Sequence, residues 1–208
     1  MPKNLGKFIV FEGIEGAGAE TQTNLLINFL KNNKKSLQKL EYPDYQGPIG
    51  RLIHQFLHKR YDFSPEIQFL LYFSDFVKDK EKINQWLKEG KIIICDRYFS
   101  SALAYQGLQG FPIKEALKIA QFFEIPKPDF IVYLRVSPKT SIKRKLKEKQ
   151  NLDRNESNKK LLTKVTMAYE RLIKNQVLSR WLVINGEKSK GEVFKEIIQC
   201  LTPYLSIN

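Results

Sequence analysis

A glycine-rich turn between an apolar strand and a helix constrains the fold of this chain most strongly. Phe8-Ile9-Val10-Phe11 is a short apolar run typical of a buried strand, and Thr21 to Asn32 has the apolar spacing of an amphipathic helix. Between them, Gly13 and Gly18 occupy the two glycine positions of the phosphate-loop pattern G-x-x-x-x-G-K-[S/T]. Such a turn lets backbone N–H groups point at phosphate oxygens, at the positive end of the following helix. The alternative is an ordinary strand-to-helix turn.

Two side chains of that pattern are replaced. Ala19 stands at the lysine position and Glu20 at the Ser/Thr position. Three explanations are open: an inactive relative that still binds nucleotide, an engineered lysine knockout, or a natural relocation of the charge. A knockout leaves Glu20 unexplained. We favour relocation, in which Glu20 meets Mg²⁺ or a cation and the basic tract Lys143-Arg144-Lys145-Leu146-Lys147, with Lys149 and Arg154, supplies the charge.

Strand and helix patterns alternate along the whole chain. The five predicted strands are Phe8–Phe11, Ser36–Glu41, Lys91–Cys95, Phe130–Val136 and Trp181–Ile184. The predicted helices are Thr21–Asn32, Ile49–His58, Pro65–Lys88, Ser100–Gln106, Ile113–Phe123, one from Pro138, Lys159–Ser179 and Gly191–Leu201. This alternation predicts a three-layer α/β fold with a central parallel sheet of about five strands and helices on both faces. We expect one domain over residues 1–208, with ligands at the carboxyl ends of the strands.

Charge and composition narrow the possible partners. The net charge of +13 suits either nucleic acid or a small phosphorylated ligand. The aromatic RNA-binding signature is absent, so we expect no nucleic-acid partner. We expect no membrane partner and a cytoplasmic location, because no apolar run approaches membrane-spanning length and the first residues lack a signal-peptide pattern. Cys95 lies in an apolar run and is predicted to be a core residue, while His54 and His58 are predicted to be surface residues without a metal.

Four segments together resemble the thymidylate kinase family, in its order and spacing. They are the phosphate loop Phe11 to Gly18 with Thr21-Gln22, the segment Asp96-Arg97-Tyr98 to Gly107, the sequence Leu152-Asp153-Arg154-Asn155-Glu156, and Ile184-Asn185-Gly186. The resemblance implies the P-loop kinase fold with a lid at about residues 143–158. It also implies transfer of the γ-phosphoryl group of ATP to dTMP, with Mg²⁺, usually by a homodimer. In such a reaction catalysis consists of alignment and charge neutralisation.

The resemblance also assigns roles on the acceptor side. Arg97 would clamp the acceptor phosphate, and Asp96 would help to hold Mg²⁺ directly or through water. Glu15 would meet the sugar hydroxyl, Tyr105 would lie beside C2′ and disfavour ribose, and Tyr72 would stack on the base. Ser101 and Gln106 would line the same pocket. Each side chain also has an ordinary alternative, such as a turn cap, an ion pair, core packing or a solvated surface.

On the donor side, the resemblance assigns ATP to the phosphate loop and the lid. Arg144 and Arg154 would close over the ATP phosphates. The residues expected to contact ATP are Gly13, Ile14, Glu15, Gly16, Ala17, Gly18, Ala19, Glu20 and Thr21.

Two departures bear on the acceptor base. The family arginine four residues after the stacking aromatic is Phe76 here, and Tyr45 replaces a short basic signal, near which Arg51 lies. Besides an active dTMP kinase, three functions therefore stay open. They are a kinase for another pyrimidine monophosphate, a non-catalytic nucleotide-binding protein, and, on charge alone, a nucleic-acid binder. The apolar segment Phe69–Phe76 is a candidate dimer interface.

Overall fold

The computed structural model describes residues 6–148, 154–155 and 158–205. The strands are β1 (Lys7–Glu12), β2 (Leu37–Glu41), β3 (Ile92–Asp96), β4 (Phe130–Arg135) and β5 (Arg180–Asn185). The helices are α1 (Ala19–Asn32), α2 (Pro48–Leu57), α3 (Pro65–Val77), α4 (Lys80–Lys88), α5 (Phe99–Leu108), α6 (Ile113–Phe122), α7 (Pro138–Glu148), α8 (Lys159–Lys174) and α9 (Lys190–Leu205). No described helix is long and apolar enough to cross a membrane.

The five strands form one parallel sheet in the order β2-β3-β1-β4-β5. The predicted parallel α/β fold is therefore confirmed. The three central strands are almost entirely buried, as their continuous apolar sequences require when helices cover both faces of a sheet. Cys95 is fully buried in β3, as predicted. Edge strands β2 and β5 are partly exposed and carry polar side chains.

The helices flank the sheet and bring distant segments together. α1 packs with α9, while α3 packs on α5 and α5 packs on α8. Because the strands are parallel, the carboxyl ends of β1, β3 and β4 lie at one edge of the sheet. Glu12 and Asp96 therefore lie at the same edge, although they are far apart in sequence.

Two predicted helix boundaries were wrong. The expected helix from Pro65 to Lys88 is broken at Lys78 and Asp79, which separate α3 from α4. Both side chains join a network of ion pairs there, and an apolar spacing pattern does not reveal such a break. The helix expected to reach Ser179 ends at Lys174, because Gln176 and Leu178 have the positive φ angles of a turn.

Candidate active site

The phosphate loop lies between β1 and α1, as predicted. Gly16 has a φ of 71°, and a Cβ placed there would lie 2.7 Å from the carbonyl oxygen of Ser141. Gly18, with a φ of 95°, is the N-cap of α1. These two positions need glycine because side chains rarely adopt that backbone region. The N–H groups of the first turn of α1 therefore open onto the loop, which is the arrangement that binds phosphate.

The two replaced positions begin this helix. Ala19 is partly exposed and Glu20 is exposed in the first turn of α1. The loop keeps its backbone geometry without contributing a lysine at the usual place.

Arg97 stands at the centre of the site. Its backbone has a φ of 64°, and its N–H donates to the carbonyl of Phe11, so the residue turns sharply off the end of β3. Its Nη2 lies 2.8 Å from Oε1 of Glu15, and its Nη1 donates to the carbonyl of Gly13 at 3.1 Å. The guanidinium carbon is 6.0 Å from the ring centroid of Tyr105. The cation is thereby fixed beside the phosphate loop.

Glu12 joins three elements beneath that loop. Its fully buried carboxylate accepts hydrogen bonds from the backbone N–H groups of Tyr98 and Ser101, from the hydroxyls of Ser100 and Ser101, and from the hydroxyl of Tyr169. Burial raises the pKa of Glu12 above its usual range, while Arg97 and the hydroxyl donors oppose the shift. The carboxylate fixes the start of α5, and so the positions of the side chains that follow Arg97.

Asp96 ends β3 and is almost fully buried. It is 8% exposed, and burial raises its pKa to about 7; Arg97 lowers the pKa, and Glu41, Glu12 and Glu15 raise it. No cluster of three or more potential metal ligands occurs among the described residues.

A cavity of about 420 Å³ opens beside Arg97. One wall carries the predicted acceptor-side residues, and all of them meet there. The residues of that wall are Glu15, Tyr72, Asp96, Arg97, Ser101, Tyr105 and Gln106. Tyr105 and Gln106 are buried, at 5% and 4% exposure.

A second wall of the cavity comes from α2 and the loop before it. His54 and His58 are exposed, as predicted, but both line the cavity. Their rings stack with centroids 4.0 Å apart, and Tyr45 meets His54 edge-on at 5.4 Å. Together with Tyr72, these rings give the cavity aromatic sides of the kind that hold a nucleobase.

An ion-pair network supports this wall from behind. The ammonium of Lys78 lies 2.6 Å from Asp79, 3.1 Å from Asp75 and 3.4 Å from Asp44. The hydroxyl of Tyr42, a cavity residue, donates to Asp79 at 3.1 Å. Lys78 therefore ties the loop that carries Tyr42 to the end of α3.

Phe76 does not reach the cavity wall. It is 1% exposed and packs edge-on against Tyr42 at 5.1 Å, with Tyr98 at 5.2 Å. Arg51 donates to the carbonyl of Gln46 and does not line the cavity among the described residues. Recognition of a base in this cavity would fall to other side chains.

The basic helix α7 packs directly on the phosphate loop. The hydroxyl of Ser141 donates to the carbonyl of Glu15. The guanidinium of Arg144 lies 3.4 Å from the carbonyl oxygens of Gly16 and Ala17, and it donates to the carbonyl of Gly186 at 2.8 Å. Arg144 thus links the loop to the turn after β5.

Arg154 contacts other residues than those of the phosphate loop. Its Nη2 is 2.7 Å from Asp62, and its guanidinium carbon is 4.6 Å from the ring centroid of Phe56. A contact with ATP phosphates would require the guanidinium to leave these partners. Lys149, Leu152, Asp153 and Glu156, which belong to the predicted lid, are outside the described residues.

Comparison with known proteins identifies the family. The family model described as thymidylate kinase matches residues 11–197. The chain belongs to the thymidylate kinase family. A probable thymidylate kinase of Methanococcus aeolicus is 35% identical over 201 residues, which cover 95% of this chain and 96% of the relative.

Two further relatives are similarly distant. A thymidylate kinase of Dictyostelium discoideum is 31% identical over 193 residues, covering 92% of this chain and 83% of the relative. One of Desulfotalea psychrophila is 33% identical over 175 residues, covering 83% and 84%. The resemblance read from the motifs is confirmed over most of the chain.

Sequence reasoning missed several side chains at this site. Glu12 received no role in the sequence analysis, although a carboxylate that ends an apolar strand is a usable signal. Tyr169 lies far away in sequence, and only the packing of α8 on α5 brings it to Glu12. His54 and His58 carried a helical spacing but no indication of which face of α2 would meet the cavity.

Proposed function

We propose that this chain transfers the γ-phosphoryl group of ATP to dTMP, giving dTDP and ADP. The observation that carries the proposal is the place of Arg97, beside the phosphate loop and inside an aromatic-walled cavity of about 420 Å³. Family membership supports ATP and dTMP as the substrates, because the relatives bear the name thymidylate kinase.

The acceptor would enter with its phosphate against Arg97. The forked donors of an arginine suit a phosphate, and the ion pair with Glu15 holds the fork in place before substrate arrives. Tyr72 would stack on the base, Glu15 would meet the sugar hydroxyl, and Tyr105 would exclude a 2′-hydroxyl. Ser101 and Gln106 would line the remaining wall.

The donor phosphates would lie along the backbone N–H groups of the phosphate loop, from Gly13 to Thr21. Arg144 and Arg154 would approach the same phosphates from the lid. An attacking phosphate oxygen is already ionised, so no general base is required and the protein contributes position and charge.

Asp96 would hold Mg²⁺, directly or through water, with Glu20 as a second carboxylate. A bound Mg²⁺ neutralises charge on the phosphates of ATP. Asp96 lines the same cavity as Arg97, and this position supports the role. Glu20 has the required carboxylate and is exposed in the first turn of α1.

A homodimer is part of the proposal. The surface of α3 and α6 exposes Ile67 (45%), Leu70 (48%), Phe122 (81%) and Phe123 (44%), and Phe73 links the two helices by packing against Phe123. Phe69, Phe73 and Phe76 are themselves buried, so the segment expected to form the interface supplies mainly core. Sedimentation of the wild type against Phe122→Glu tests this: a dimer that dissociates in the variant supports it, and a wild-type monomer contradicts it. We propose a cytoplasmic location because the reaction consumes ATP.

The test of the reaction is ADP formation with ATP, Mg²⁺ and dTMP, compared with dUMP, dCMP and no acceptor. Arg97→Ala should lose dTMP-dependent turnover, whereas Arg180→Ala should keep it. Arg180 is the first residue of β5 and therefore lies at the amino end of the strand, away from the carboxyl ends where the site lies. Phe76 motivates the comparison of acceptors: a preference for dUMP or dCMP would indicate another pyrimidine monophosphate as substrate. ATP binding without turnover by any acceptor would indicate a non-catalytic protein.

A further inference from the structure

The phosphate loop needs a cation that its own sequence does not supply. Ala19 and Glu20 replace the usual lysine and hydroxyl side chains, and Glu20 adds a negative charge. ATP brings several negative charges to this loop, and cations aimed at the transferring phosphoryl group supply much of the catalysis in such sites. A compensating side chain should come from an element that already contacts the loop.

Helix α7 is that element. Ser141 and Arg144 bond to the carbonyls of the loop, so the helix is held against it at successive turns. The guanidinium of Arg144 is directed at carbonyl oxygens of the loop and of Gly186. In this arrangement Arg144 serves mainly as a tether between backbone segments.

Lys145, the residue after Arg144, also lies against the phosphate loop. A Cβ built on Gly16 would lie 3.3 Å from Cγ of Lys145, so the aliphatic stem crosses the middle of the loop. Lys145 also lines the cavity that contains Arg97 and Asp96. Its Nζ is 2.8 Å from Glu148, and the side chain is 22% exposed. A flexible four-carbon stem lets the ammonium exchange that carboxylate for a phosphate.

We propose that Lys145 is a catalytic residue that takes the place of the missing phosphate-loop lysine. This inference rests on the proposed function. The ammonium contacts the γ-phosphoryl group on the side facing the acceptor. An acceptor phosphate oxygen forms the new bond to the γ-phosphorus, and the bond to the β,γ-bridging oxygen breaks. ADP leaves with that electron pair, and Lys145 keeps its proton throughout.

The position of this cation differs from that of a lysine in α1. A lysine at position 19 would approach from the start of α1, whereas Lys145 approaches from α7 and lines the same cavity as Arg97. The two cations Lys145 and Arg97 would then flank the space where the donor and acceptor phosphates meet. This also explains why the loop tolerates Ala19.

The first test compares Lys145→Ala and Lys145→Arg with Lys164→Ala and Lys195→Ala, two exposed lysines of α8 and α9 that have no part in the site. Lys145→Ala should lower kcat by roughly 10²–10³-fold, Lys145→Arg should lose less, and the controls should stay within about twofold of wild type. Circular dichroism verifies that each variant is folded. A Lys145→Ala variant as active as the two controls overturns the proposal.

The second test measures affinity without turnover, by calorimetry with ATP and AMP in the absence of acceptor. Lys145→Ala should weaken ATP binding and leave AMP binding unchanged, and adding Ala19→Lys should restore much of the ATP preference. Equal loss for ATP and AMP overturns the phosphate contact. If wild-type protein turns over no acceptor, the proposed function fails, and the ATP-to-AMP ratio still decides the role of Lys145 on its own.

Discussion

Glu12 offers a test of how the site is held in place. Its carboxylate accepts five hydrogen bonds beneath the phosphate loop. In Glu12→Ala, Ser101 N–H keeps a second acceptor in the carbonyl of Tyr98, and the hydroxyls of Ser101 and Tyr169, 3.1 Å apart, can bond to each other. The Tyr98 N–H and the Ser100 hydroxyl lose their acceptor in a buried place.

These two unpaired donors determine how much stability Glu12→Ala loses. A buried donor left without a partner costs about 1–3 kcal/mol, so two cost about 2–6 kcal/mol. Removing a desolvated carboxylate offsets part of that cost. We expect the free energy of unfolding to fall by about 2–3 kcal/mol in Glu12→Ala. Glu12→Gln keeps one acceptor oxygen and should stay within about 1 kcal/mol of wild type.

The same residue predicts a dependence on pH. Burial raises the pKa of Glu12, so the folded state holds the proton more tightly than the unfolded state. Its contribution to stability is therefore greatest below the ordinary pKa of 4.5 and declines as pH rises above it. Wild type should lose stability relative to Glu12→Gln over that range. The charged or titratable neighbours Arg97, Tyr169 and Asp96 are the same in both proteins.

Urea unfolding followed by tryptophan fluorescence measures these differences, since Trp181 lies 6.3 Å from the ring of Tyr169. Glu115→Ala on exposed α6 is the matched control and should change stability by less than about 0.5 kcal/mol. The reasoning is refuted if Glu12→Ala behaves like this control, or if Glu12→Gln is as unstable as Glu12→Ala.

Three further changes test neighbouring parts of the site. Arg97→Lys keeps the charge but loses the fork, so kcat/KM for the acceptor should fall by roughly 10²-fold or more in the ADP assay; near-wild-type values would contradict the clamp. Lys78→Ala removes the cation that balances fully buried Asp75, and calorimetric melting should show a loss of about 3–5 kcal/mol; an unchanged Tm would contradict it. Gly16→Ala places a methyl group 2.7 Å from the Ser141 carbonyl oxygen, so the loop and α7 must move apart and the KM for ATP should rise several-fold; an unchanged KM would contradict a role of this close approach in ATP binding.

The sequence predicted the parts of the fold that depend on local pattern. Central strands such as Ile92–Asp96 are apolar up to their last residue, because helices cover both sides of the sheet, and this pattern can be recognised in the sequence alone. Gly13 and the pair Asp96-Arg97 lie at the carboxyl ends of β1 and β3, so a parallel sheet brings them to one edge.

The parts that escaped prediction depend on tertiary contacts. The break between α3 and α4 follows from the ion pairs of Lys78, whose partners include Asp44 in a different loop. Phe76 is apolar, as core residues usually are. Only its packing against Tyr42 and Tyr98 shows that its side chain lies in the core and does not line the cavity. A run of basic residues in α7 likewise does not reveal which one faces the loop.

Identification of the product tests the central claim most directly. Purified protein is incubated with γ-³²P-labelled ATP, Mg²⁺ and dTMP, and the nucleotides are separated by anion-exchange chromatography. We expect label to move from ATP into dTDP, with an equal amount of ADP, and Arg97→Ala to abolish the transfer. Label that stays in ATP, or appears only as inorganic phosphate independently of dTMP, would contradict a dTMP kinase.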